Sequence, residues 1–465
     1  MAVEFFLRAP DSLRKTEIYR GACRIVKRLR EAGYPAYFAG GAPRDLFLGA
    51  QPSDFDIATA APMEETLRLF PRSHPLGAAF GILLVLENGI PYEVAAFREE
   101  KEYRDGRHPG HVCYTDDPEH DALRRDFTIN SLFYDPESEI LLDFTGGIHD
   151  LRRGILRTVG DPMLRMSEDF LRMLRAVRFA VRFRCSLDPG TARALRRFAP
   201  NLAGISAERI RDEVDKMLTG PRPSQAFRMM SELGILPVIL PELERLRGLE
   251  QPELYHPEGD VFEHTMLMLN HIAVPGREIA WTVLLHDVGK YETFSRDAEG
   301  IPHFYGHEVA GALLAEKILK RLRSPVSLTE KVCTAVRNHM RFASVDKMKA
   351  SKWRRMMGDP NFPLELELHR IDCTASHGML GNYVLMLDRM REFACGKENS
   401  SVLPGPLVNG KDLIALGMKP GPALGRMLER IRDLQLEGTL TGKEDAVRFV
   451  RETLSGSSSF PERQI

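Results

Sequence analysis

The spacing of hydrophobic residues changes about a third of the way along the chain. Up to about residue 157, one helical pattern over 15–32 is followed by short apolar segments that Gly, Pro and Asn separate, as is typical of strands. From about residue 160, apolar residues recur every three or four positions, which indicates amphipathic helices. Five segments predict strands: PAYFA, DFDIATA, FGILLVLENG, IPYEVAAF and EILLDF. We therefore expect an α+β fold in which a small mixed head with a five-stranded sheet precedes an all-helical remainder.

Breaks in the helical pattern suggest four parts. We expect a head over 1–157, a helical neck over 158–222, a helical body over 223–400 and a helical tail over 401–465. The stretches TGPRP and PGP lie near two of these boundaries and are rich in helix-breaking residues. The final SGSSSFPERQI is small and polar, which is typical of a loose terminus. No chemistry can be assigned to the tail.

Composition excludes several classes of protein. The 465 residues are 43% hydrophobic and 28% charged, which is ordinary for a globular chain of several domains. The sequence has no apolar run of about eighteen residues, and its N-terminus lacks the layout of a secretory signal. Its six cysteines form no CxxC pair, which argues against a disulfide framework or a zinc ribbon. We expect a cytoplasmic protein with no membrane partner, and the oligomeric state stays open.

The net charge of −1 hides one basic segment. Between residues 151 and 216 there are 14 Arg and one Lys against eight acidic residues. A local positive excess inside a neutral chain is expected where phosphate groups bind. A solvated helical face is the alternative interpretation.

Two carboxylates stand two positions apart in DFDIATA, shortly after a Gly-Gly pair. Residues i and i+2 of a strand point to the same face, so Asp54 and Asp56 are expected side by side. Two carboxylates that lie so close repel each other unless a proton, an arginine or a cation lies between them. Upstream, Gly40 and Gly41 follow a strand and open a helix, where backbone N–H groups can approach phosphate. Together these features predict a site for a nucleoside triphosphate and Mg²⁺.

Glu93 is the only acid in its predicted strand, PYEVAAF. On a strand next to DFDIATA it would complete a set of three catalytic carboxylates. Such a set permits a two-metal site, in which one ion activates a hydroxyl group and the other stabilises the leaving pyrophosphate. A strand residue that simply faces solvent is the alternative.

Six motifs in a fixed order resemble the class II tRNA nucleotidyltransferase and poly(A) polymerase family. They are GGAPRDLFLG with DFDIAT, YRDGRHPG, RRDFTIN, DFTGGIHDL, EDFLRMLRAVRF and ERIRDEVDKML. The resemblance covers about residues 20–220 and implies a polymerase β-like nucleotidyltransferase head. It also implies that Asp54 and Asp56 bind the catalytic metals. Pro43 departs from the family pattern, which usually has Val there, whereas Arg44 and Asp45 keep it.

The segment EDFLR suggests how a base could be chosen without a template. Asp169 and Arg172 are three positions apart, and so are neighbours on one face of a helix. A carboxylate accepts from the amino group of cytosine or adenine, while a guanidinium donates to the adjacent acceptors. Uracil and guanine offer a carbonyl instead, and an unpaired buried acid costs about 1–3 kcal/mol. The family motif has this role by resemblance; an i,i+3 surface ion pair is the alternative.

Further arginines complete the expected nucleotide pocket. By resemblance, RRDFTIN lies on the ribose and phosphate side, with Asp126 expected at a ribose hydroxyl and Arg125 at phosphate. The residues expected to bind nucleotide are Gly40, Gly41, Arg44, Arg124, Arg125, Asp126, Asn130, Asp169, Arg172, Arg175 and Arg178. The polar stretch 98–123 corresponds to a flexible family element that is linked to the switch from C to A addition.

A second candidate site lies in the helical body. His264, then His286 next to Asp287, and later Asp372 follow the order of the HD phosphohydrolase superfamily, which this segment resembles. Further candidate ligands are His307 and His339. Imidazoles and carboxylates bind several divalent metals, and the residues do not choose among them. The resemblance implies a second divalent metal and hydrolysis of phosphomonoesters or 2′,3′-cyclic phosphates. A degenerate domain kept as a packing scaffold is the alternative.

The leading hypothesis is a template-independent enzyme that adds C and A to tRNA 3′ ends from CTP and ATP, with Mg²⁺ in the head and release of pyrophosphate. Alternatives within this class add only CC or only A, or make poly(A). Alternatives from other classes are an HD-type phosphohydrolase that acts on RNA 3′ ends and a non-catalytic RNA-binding protein.

Overall fold

The computed structural model describes residues 2–77, 81–103, 109–252, 256–257, 259–395 and 402–455. The chain divides into two compact units, Met1–Glu244 and Arg245–Ile465. The expected loose terminus, from residue 456 onward, and the centre of the YRDGRHPG motif, residues 104–108, lie outside the described residues. The proposed division into four domains stays a prediction.

A mixed sheet forms the core of the first unit. Its order is β1-β10-β9-β2-β3-β6-β5-β4, in which only β3 and β6 pair in parallel. The strands of this unit are β1 Val3–Phe6, β2 Ala36–Ala39, β3 Asp56–Thr59, β4 Ser73–Gly77, β5 Ile82–Glu87, β6 Ile90–Ala96, β7 Arg98–Tyr103, β8 Pro109–Tyr114, β9 Phe133–Asp135, β10 Ile140–Asp143, β11 Ile155–Leu156 and β12 Ser186–Leu187.

The expectation of five strands in this sheet is wrong, because the sheet has eight. All five predicted segments contribute a strand, and the additional ones are β1, β4 and β9. Two of these are edge strands, and β9 is only three residues long. Neither short segments nor half-exposed edges carry enough alternation of apolar and polar residues to be recognised.

The centre of the sheet is apolar on both sides. Phe38 of β2 and Ile57 of β3 are cross-strand partners, and both are buried. Tyr19 of α2 packs edge-on against the rings of Phe38 and Phe55. This packing fixes β3, and therefore the position at which its polar first residue, Asp56, emerges from the sheet.

Helices surround this sheet and continue beyond it. The helices of the first unit are α1 Asp11–Arg14, α2 Glu17–Glu31, α3 Gly41–Phe47, α4 Met63–Leu69, α5 Pro118–Leu123, α6 Gly147–Arg153, α7 Pro162–Glu168, α8 Arg172–Phe183, α9 Pro189–Phe198, α10 Ala207–Leu218, α11 Pro223–Glu232, α12 Leu236–Ile239 and α13 Pro241–Glu244. One face of α8 is buried through Leu174, Val177 and Val181, as its apolar spacing predicts.

The polar stretch 98–123 contains more regular structure than a loop. Strands β7 and β8 form an antiparallel ribbon, and α5 follows, starting with an Asp117 cap on the N–H of Glu119. The ribbon was not recognised because REEKEY lacks the apolar alternation of a half-buried strand.

The described residues of the second unit are helical apart from one short hairpin. Its elements are α14 Val261–Asn270, α15 Arg277–Leu285, α16 Lys290–Thr293, β13 Ser295–Arg296, β14 Pro302–His303, α17 His307–Arg321, α18 Val326–Asn338, α19 Ala350–Met357, α20 Phe362–Ala375, α21 Gly381–Cys395, α22 Gly410–Ala415, α23 Pro422–Leu436 and α24 Lys443–Ser455. The helix α15 is buried on nearly all sides, which explains its continuous apolar run IAWTVLL.

Across the described residues, no helix combines the length and the apolar character needed to cross a membrane.

Candidate functional site

A polar cavity of 520 Å³ opens in the first unit where β2, β3 and the start of α8 converge. Every predicted nucleotide-binding residue except Arg178 lines it, and so do both Asp54 and Asp56. Four other lining residues were not assigned to the site from the sequence: Asp45, Ser53, Phe179 and Arg182. The sequence motifs, which span more than a hundred residues, therefore meet at one place.

The turn after β2 needs glycine. Gly40 has φ +69°, and a Cβ atom there would come within 3.1 Å of Oδ2 of Asp56. Only a residue without a side chain allows the turn to approach that carboxylate so closely. The Gly-Gly pair therefore shapes the wall of the cavity directly beside the acid.

The carboxylates lie together, although not all within strands. Asp56 is the first residue of β3, whereas Asp54 precedes the strand and is exposed, so the expectation that both stand in one strand is wrong. The parallel register pairs Ile57 with Val94, which places Glu93 of β6 beside Asp56. Burial, then the neighbouring charges of Asp54 and Glu93, raise the pKa of Asp56 to about 6, against the opposing effect of Arg125. Such mutual repulsion is what a bound cation relieves.

A buried acid that was not predicted holds the two arginines of RRDFTIN. Asp121 on α5 is 1% exposed, and its oxygens accept from Arg124 at 2.6 Å and from Arg125 at 2.8 Å. Burial alone would raise the pKa of Asp121, but the two guanidinium groups outweigh it and hold that pKa below its usual value. Asp121 therefore fixes both guanidinium groups at the wall of the cavity. The spacing of three and four residues from Asp121 to the arginines was the available sequence signal.

Asp126 is already engaged by protein groups in the nucleotide-free chain. One oxygen accepts from Arg175 at 2.7 Å, and the other accepts from the Phe127 N–H and the Asn130 amide. Burial opposes ionisation, yet Arg175 lowers the pKa of Asp126 overall. The assignment of Asp126 to a ribose hydroxyl stays a prediction, and its observed contacts orient Arg175 and Asn130.

Asp169 and Arg172 are not in one helix, contrary to expectation. The helix α7 ends at Glu168, Asp169 has extended backbone angles, and α8 begins at Arg172. The Asp169 carboxylate accepts from the N–H of Leu171, a local bond that competes with helical pairing and explains the break. Both side chains nevertheless line the cavity.

Each member of this pair has a partner of opposite charge. Asp169 accepts from Arg209 at 2.9 Å, and Arg172 donates to Glu168 at 2.5 Å. Glu168 also accepts from Arg165 at 2.8 Å. Neither Arg209 nor Arg165 was predicted. Arg209 lies forty residues from Asp169 and leaves no signal in local spacing, whereas Arg165 and Glu168 are three residues apart on α7 and carry an i,i+3 signal.

Arg178 faces a different cavity. It donates to Glu213 at 2.6 Å and lines a 530 Å³ space with Arg182 and Lys216. The first cavity is lined by Arg172, Arg175, Phe179 and Arg182 of α8, and Arg178 is not among the residues that line it. Its assignment to nucleotide binding is not supported by this placement.

The second unit contains a cavity of 690 Å³ with histidines at its base. Asp287 is at the centre, and its oxygens lie 3.0 Å from Nε2 of His286, 3.4 Å from that of His307 and 3.8 Å from that of His339. Nε2 of His264 lies 3.1 Å from Oδ1 of Asp372. All six predicted ligands are therefore gathered in one cluster.

Backbone carbonyls orient three of these rings. Nδ1 of His286, His307 and His339 lies 2.8, 2.8 and 2.6 Å from the carbonyl oxygens of Val283, Phe304 and Val336. Each ring therefore directs Nε2 to the cluster, as is usual for metal-binding histidines. Burial lowers the pKa of His339 to about 4, so this ring is neutral at physiological pH and can act as a ligand.

Two overlapping groups could each hold a cation: His264, His286 and Asp287, and Asp287, His307 and His339. Burial opposes the charge on Asp287, but His286 and Lys290 hold its pKa well below the usual range. Lys290, which was not predicted, is 6% exposed and donates to Asp287 at 2.7 Å and to Gln251 at 2.6 Å.

Three family models match consecutive parts of this chain. The poly A polymerase head domain matches residues 36–157, a probable RNA and SrmB-binding site of polymerase A matches 186–246, and the HD domain matches 260–372. The CCA-adding enzyme of Anoxybacillus flavithermus is 31% identical over 435 residues, which cover 93% of this chain and 96% of that protein. The chain belongs to the tRNA nucleotidyltransferase family.

The relatives of this tRNA nucleotidyltransferase include both CCA-adding and A-adding enzymes. The A-adding tRNA nucleotidyltransferase of Deinococcus radiodurans is 33% identical over 434 residues, covering 90% of this chain and 95% of that protein. A crystal structure of the Bacillus stearothermophilus CCA-adding enzyme in complex with CTP has a TM-score of 0.72 and 25% identity, over 95% of this chain and 98% of the other. The predicted family and fold class are confirmed.

Proposed function

We propose that this tRNA nucleotidyltransferase adds C and A to the 3′ end of tRNA, using CTP and ATP and releasing pyrophosphate. The observation that carries the proposal is that Asp54 and Asp56 line one cavity together with the arginines of RRDFTIN and EDFLR. Glu93, on the neighbouring strand, lies beside Asp56. The named functions of full-length relatives, CCA addition and A addition, agree with it. A cytoplasmic location follows from a tRNA substrate.

The carboxylates fit divalent cations. Asp54 and Asp56 supply hard oxygen ligands on one wall, Glu93 stands beside them, and no lysine or arginine forms an ion pair with any of the three within the described chain. Mg²⁺ bound there would lower the pKa of the attacking 3′-hydroxyl group and neutralise charge on the triphosphate. Arg124 and Arg125, fixed by Asp121, line the same cavity and would bind phosphate oxygens.

Base selection falls to Asp169 and Arg172. The carboxylate accepts from the amino group that cytosine and adenine share, and the guanidinium donates to the ring acceptor next to it. Uracil and guanine would place a carbonyl oxygen against the Asp169 carboxylate, where two acceptors repel and no hydrogen bond forms. One pair can therefore admit both CTP and ATP and reject the other two nucleotides.

Three tRNA transcripts test the reaction and its extent. Transcripts that end before CCA, after the first C, and after CC are incubated with Mg²⁺ and each labelled nucleoside triphosphate in turn. The proposal expects C on the first two and A on the third. Labelling of the third transcript alone would indicate an A-adding enzyme, C without A a CC-adding one, and long A tails a poly(A) polymerase. No labelling of any transcript would contradict the proposal.

The second unit supports a second candidate function, metal-dependent hydrolysis of phosphomonoesters or 2′,3′-cyclic phosphates. The observation in its favour is the cluster of four imidazoles and two carboxylates, of which Asp287, His307, His339 and Asp372 line a 690 Å³ cavity. Orientation of Nε2 by backbone carbonyls fits a metal better than a packed scaffold. A divalent ion there would activate a water molecule for attack on phosphorus. Hydrolysis of p-nitrophenyl phosphate and 2′,3′-cyclic AMP after supplying Mn²⁺, Ni²⁺ or Mg²⁺ tests it, and no hydrolysis with any metal would refute it.

A further inference from the structure

The two side chains that are proposed to read the base do not pair with each other. Asp169 and Arg172 have opposite charges and stand three residues apart, yet no ion pair joins them in the described chain. Instead, Arg209 of α10 pairs with Asp169, and Glu168 pairs with Arg172. A direct pair would satisfy each group with the other and leave neither available to a nucleotide.

The contact with Asp169 is the hydrogen bond that the structure gives for the Arg209 side chain. Its Nη2 donates to Oδ2 of Asp169 at 2.9 Å, whereas its Nη1 is buried and has no hydrogen-bond partner among the described residues. A buried guanidinium nitrogen without an acceptor is costly, and such exceptions in a native structure call for an explanation. The hydrogen bond from Arg209 to Asp169 explains why this guanidinium group is held in a partly buried position.

We propose that Arg209 is a positioning residue for base selection. Resting on the proposed CTP and ATP addition, the inference is that Arg209 holds the Asp169 carboxylate away from Arg172. The carboxylate is then fixed from two sides, since its other oxygen accepts from the N–H of Leu171. Each oxygen keeps a second lone pair, which can accept from the amino group of cytosine or adenine.

Arg172 is likewise held by groups other than Asp169. Its Nη1 donates to Glu168 and to the carbonyl oxygen of Arg165, while its remaining N–H groups make no hydrogen bond in the described chain. Those donors remain for the ring acceptor of a base. Without Arg209, the released Asp169 oxygen would be drawn to the other arginines that line the cavity, Arg172 among them. Pairing with Arg172 would occupy both reading groups.

The test compares Arg209→Gln and Arg209→Lys with a matched control, Arg211→Gln. Arg211 is on the same helix but pairs with its neighbour Asp212 at 2.8 Å. Single-turnover rates with CTP and UTP on the transcript that ends before CCA give the C-to-U discrimination ratio. Titration of a fluorescent CTP analogue and of tRNA gives the two dissociation constants, and thermal melting confirms that each variant is folded.

Arg209→Gln should weaken binding of the CTP analogue by about tenfold and reduce the C-to-U ratio by at least about tenfold, because a misplaced charge loses roughly 1.4 kcal/mol or more. Arg209→Lys should recover most of the ratio, since it keeps the charge. The dissociation constant of tRNA should change less than twofold in every variant. An unchanged C-to-U ratio in Arg209→Gln, or weaker tRNA binding with normal CTP binding, would overturn the inference. If the wild type incorporates no CTP at all, the proposed function fails instead.

Discussion

The two candidate sites use carboxylates in opposite electrostatic settings. In the first unit, burial and then the neighbouring charges of Asp54 and Glu93 raise the pKa of Asp56 to about 6. In the second unit, Asp287 and Asp372 lie among imidazoles, and their pKa values are lowered. The first site is therefore a cluster of like charges, whereas the carboxylates of the second site are largely neutralised by neighbouring side chains.

This difference has a functional meaning. A nucleotidyltransferase must take up and release a triphosphate with its metal at every step, and a repulsive cluster on the cavity wall binds the cation most strongly when phosphate oxygens share it. A hydrolytic site keeps its metal between turnovers, which oriented imidazoles around a buried carboxylate provide. The carboxylates of the first unit would thus suit a transient ion, and the imidazoles of the second unit would suit the resident ion that the proposed hydrolysis needs.

The largest effect is expected from removing the head carboxylates. The variant Asp54→Ala/Asp56→Ala should lower the rate of nucleotide incorporation by at least about 10³-fold, because the ligands of the cation are gone and several kcal/mol of transition-state stabilisation are lost. Labelled CMP incorporation into tRNA measures it. Binding of tRNA, followed by gel shift, should remain within about twofold. A variant that retained more than a tenth of the wild-type rate would refute the roles of these residues.

The converse substitution in the second unit should separate the two sites. His286→Ala/Asp287→Ala removes two central ligands and should abolish metal-dependent hydrolysis of p-nitrophenyl phosphate, since the remaining imidazoles cannot retain the ion. Nucleotide incorporation should stay within about twofold of the wild type. Lys331→Ala, which removes an exposed ion pair with Glu278 in the same unit, serves as the control and should affect neither reaction. Hydrolysis that persisted in the double variant would remove the proposed second activity.

A smaller effect tests the residue that holds the arginines. Asp121→Asn should raise KM for CTP by about tenfold, because Arg124 and Arg125 lose the charged partner that aims them at phosphate. The KM for tRNA should change little. Asp135→Asn, which removes an acid paired with Arg30 elsewhere in this unit, is the matched control. Equal changes in the two KM values would indicate a general loss of structure rather than misplaced arginines.

The smallest effect concerns stability without metal. Because the folded-state pKa of Asp56, about 6, lies above the ordinary value, folding favours the protonated form, and the free energy of unfolding falls as pH rises from about 4 through about 6. Asp56→Asn should therefore stabilise the metal-free protein by about 1–3 kcal/mol at pH 7.5 and by less at pH 5. Urea denaturation in EDTA measures the difference. Destabilisation at pH 7.5 would show that the carboxylate cluster is not repulsive.

The sequence predicted the functional groups better than their surroundings. The i,i+2 spacing of Asp54 and Asp56 and the HD order of the histidines led to residues that do meet in space. Contacts between distant segments, such as Arg209 with Asp169 and Lys290 with Gln251, leave no periodic signal and were missed. The break between α7 and α8 was missed because Asp169 bonds to the backbone of Leu171, which depends on geometry rather than on hydrophobic spacing.

The strand count failed for a related reason. The residues of β1 and β9 belong to the sheet through pairing with β10, and not through their own composition. Conversely, the aromatic core around Phe38 and Phe55 follows directly from apolar residues in the two predicted strands. Local patterns therefore located the core and the chemistry, while long-range pairing decided the edges.

Binding of Mn²⁺ to the His286→Ala/Asp287→Ala variant, followed by electron paramagnetic resonance, tests the central claim most directly. With the second site silenced, Mn²⁺ should bind weakly to the free protein and at least about tenfold more tightly when a non-hydrolysable CTP analogue is present. That gain should vanish when Asp54 and Asp56 are also replaced by Ala. An equal gain with and without these two carboxylates would contradict the claim that they hold the cation beneath the triphosphate.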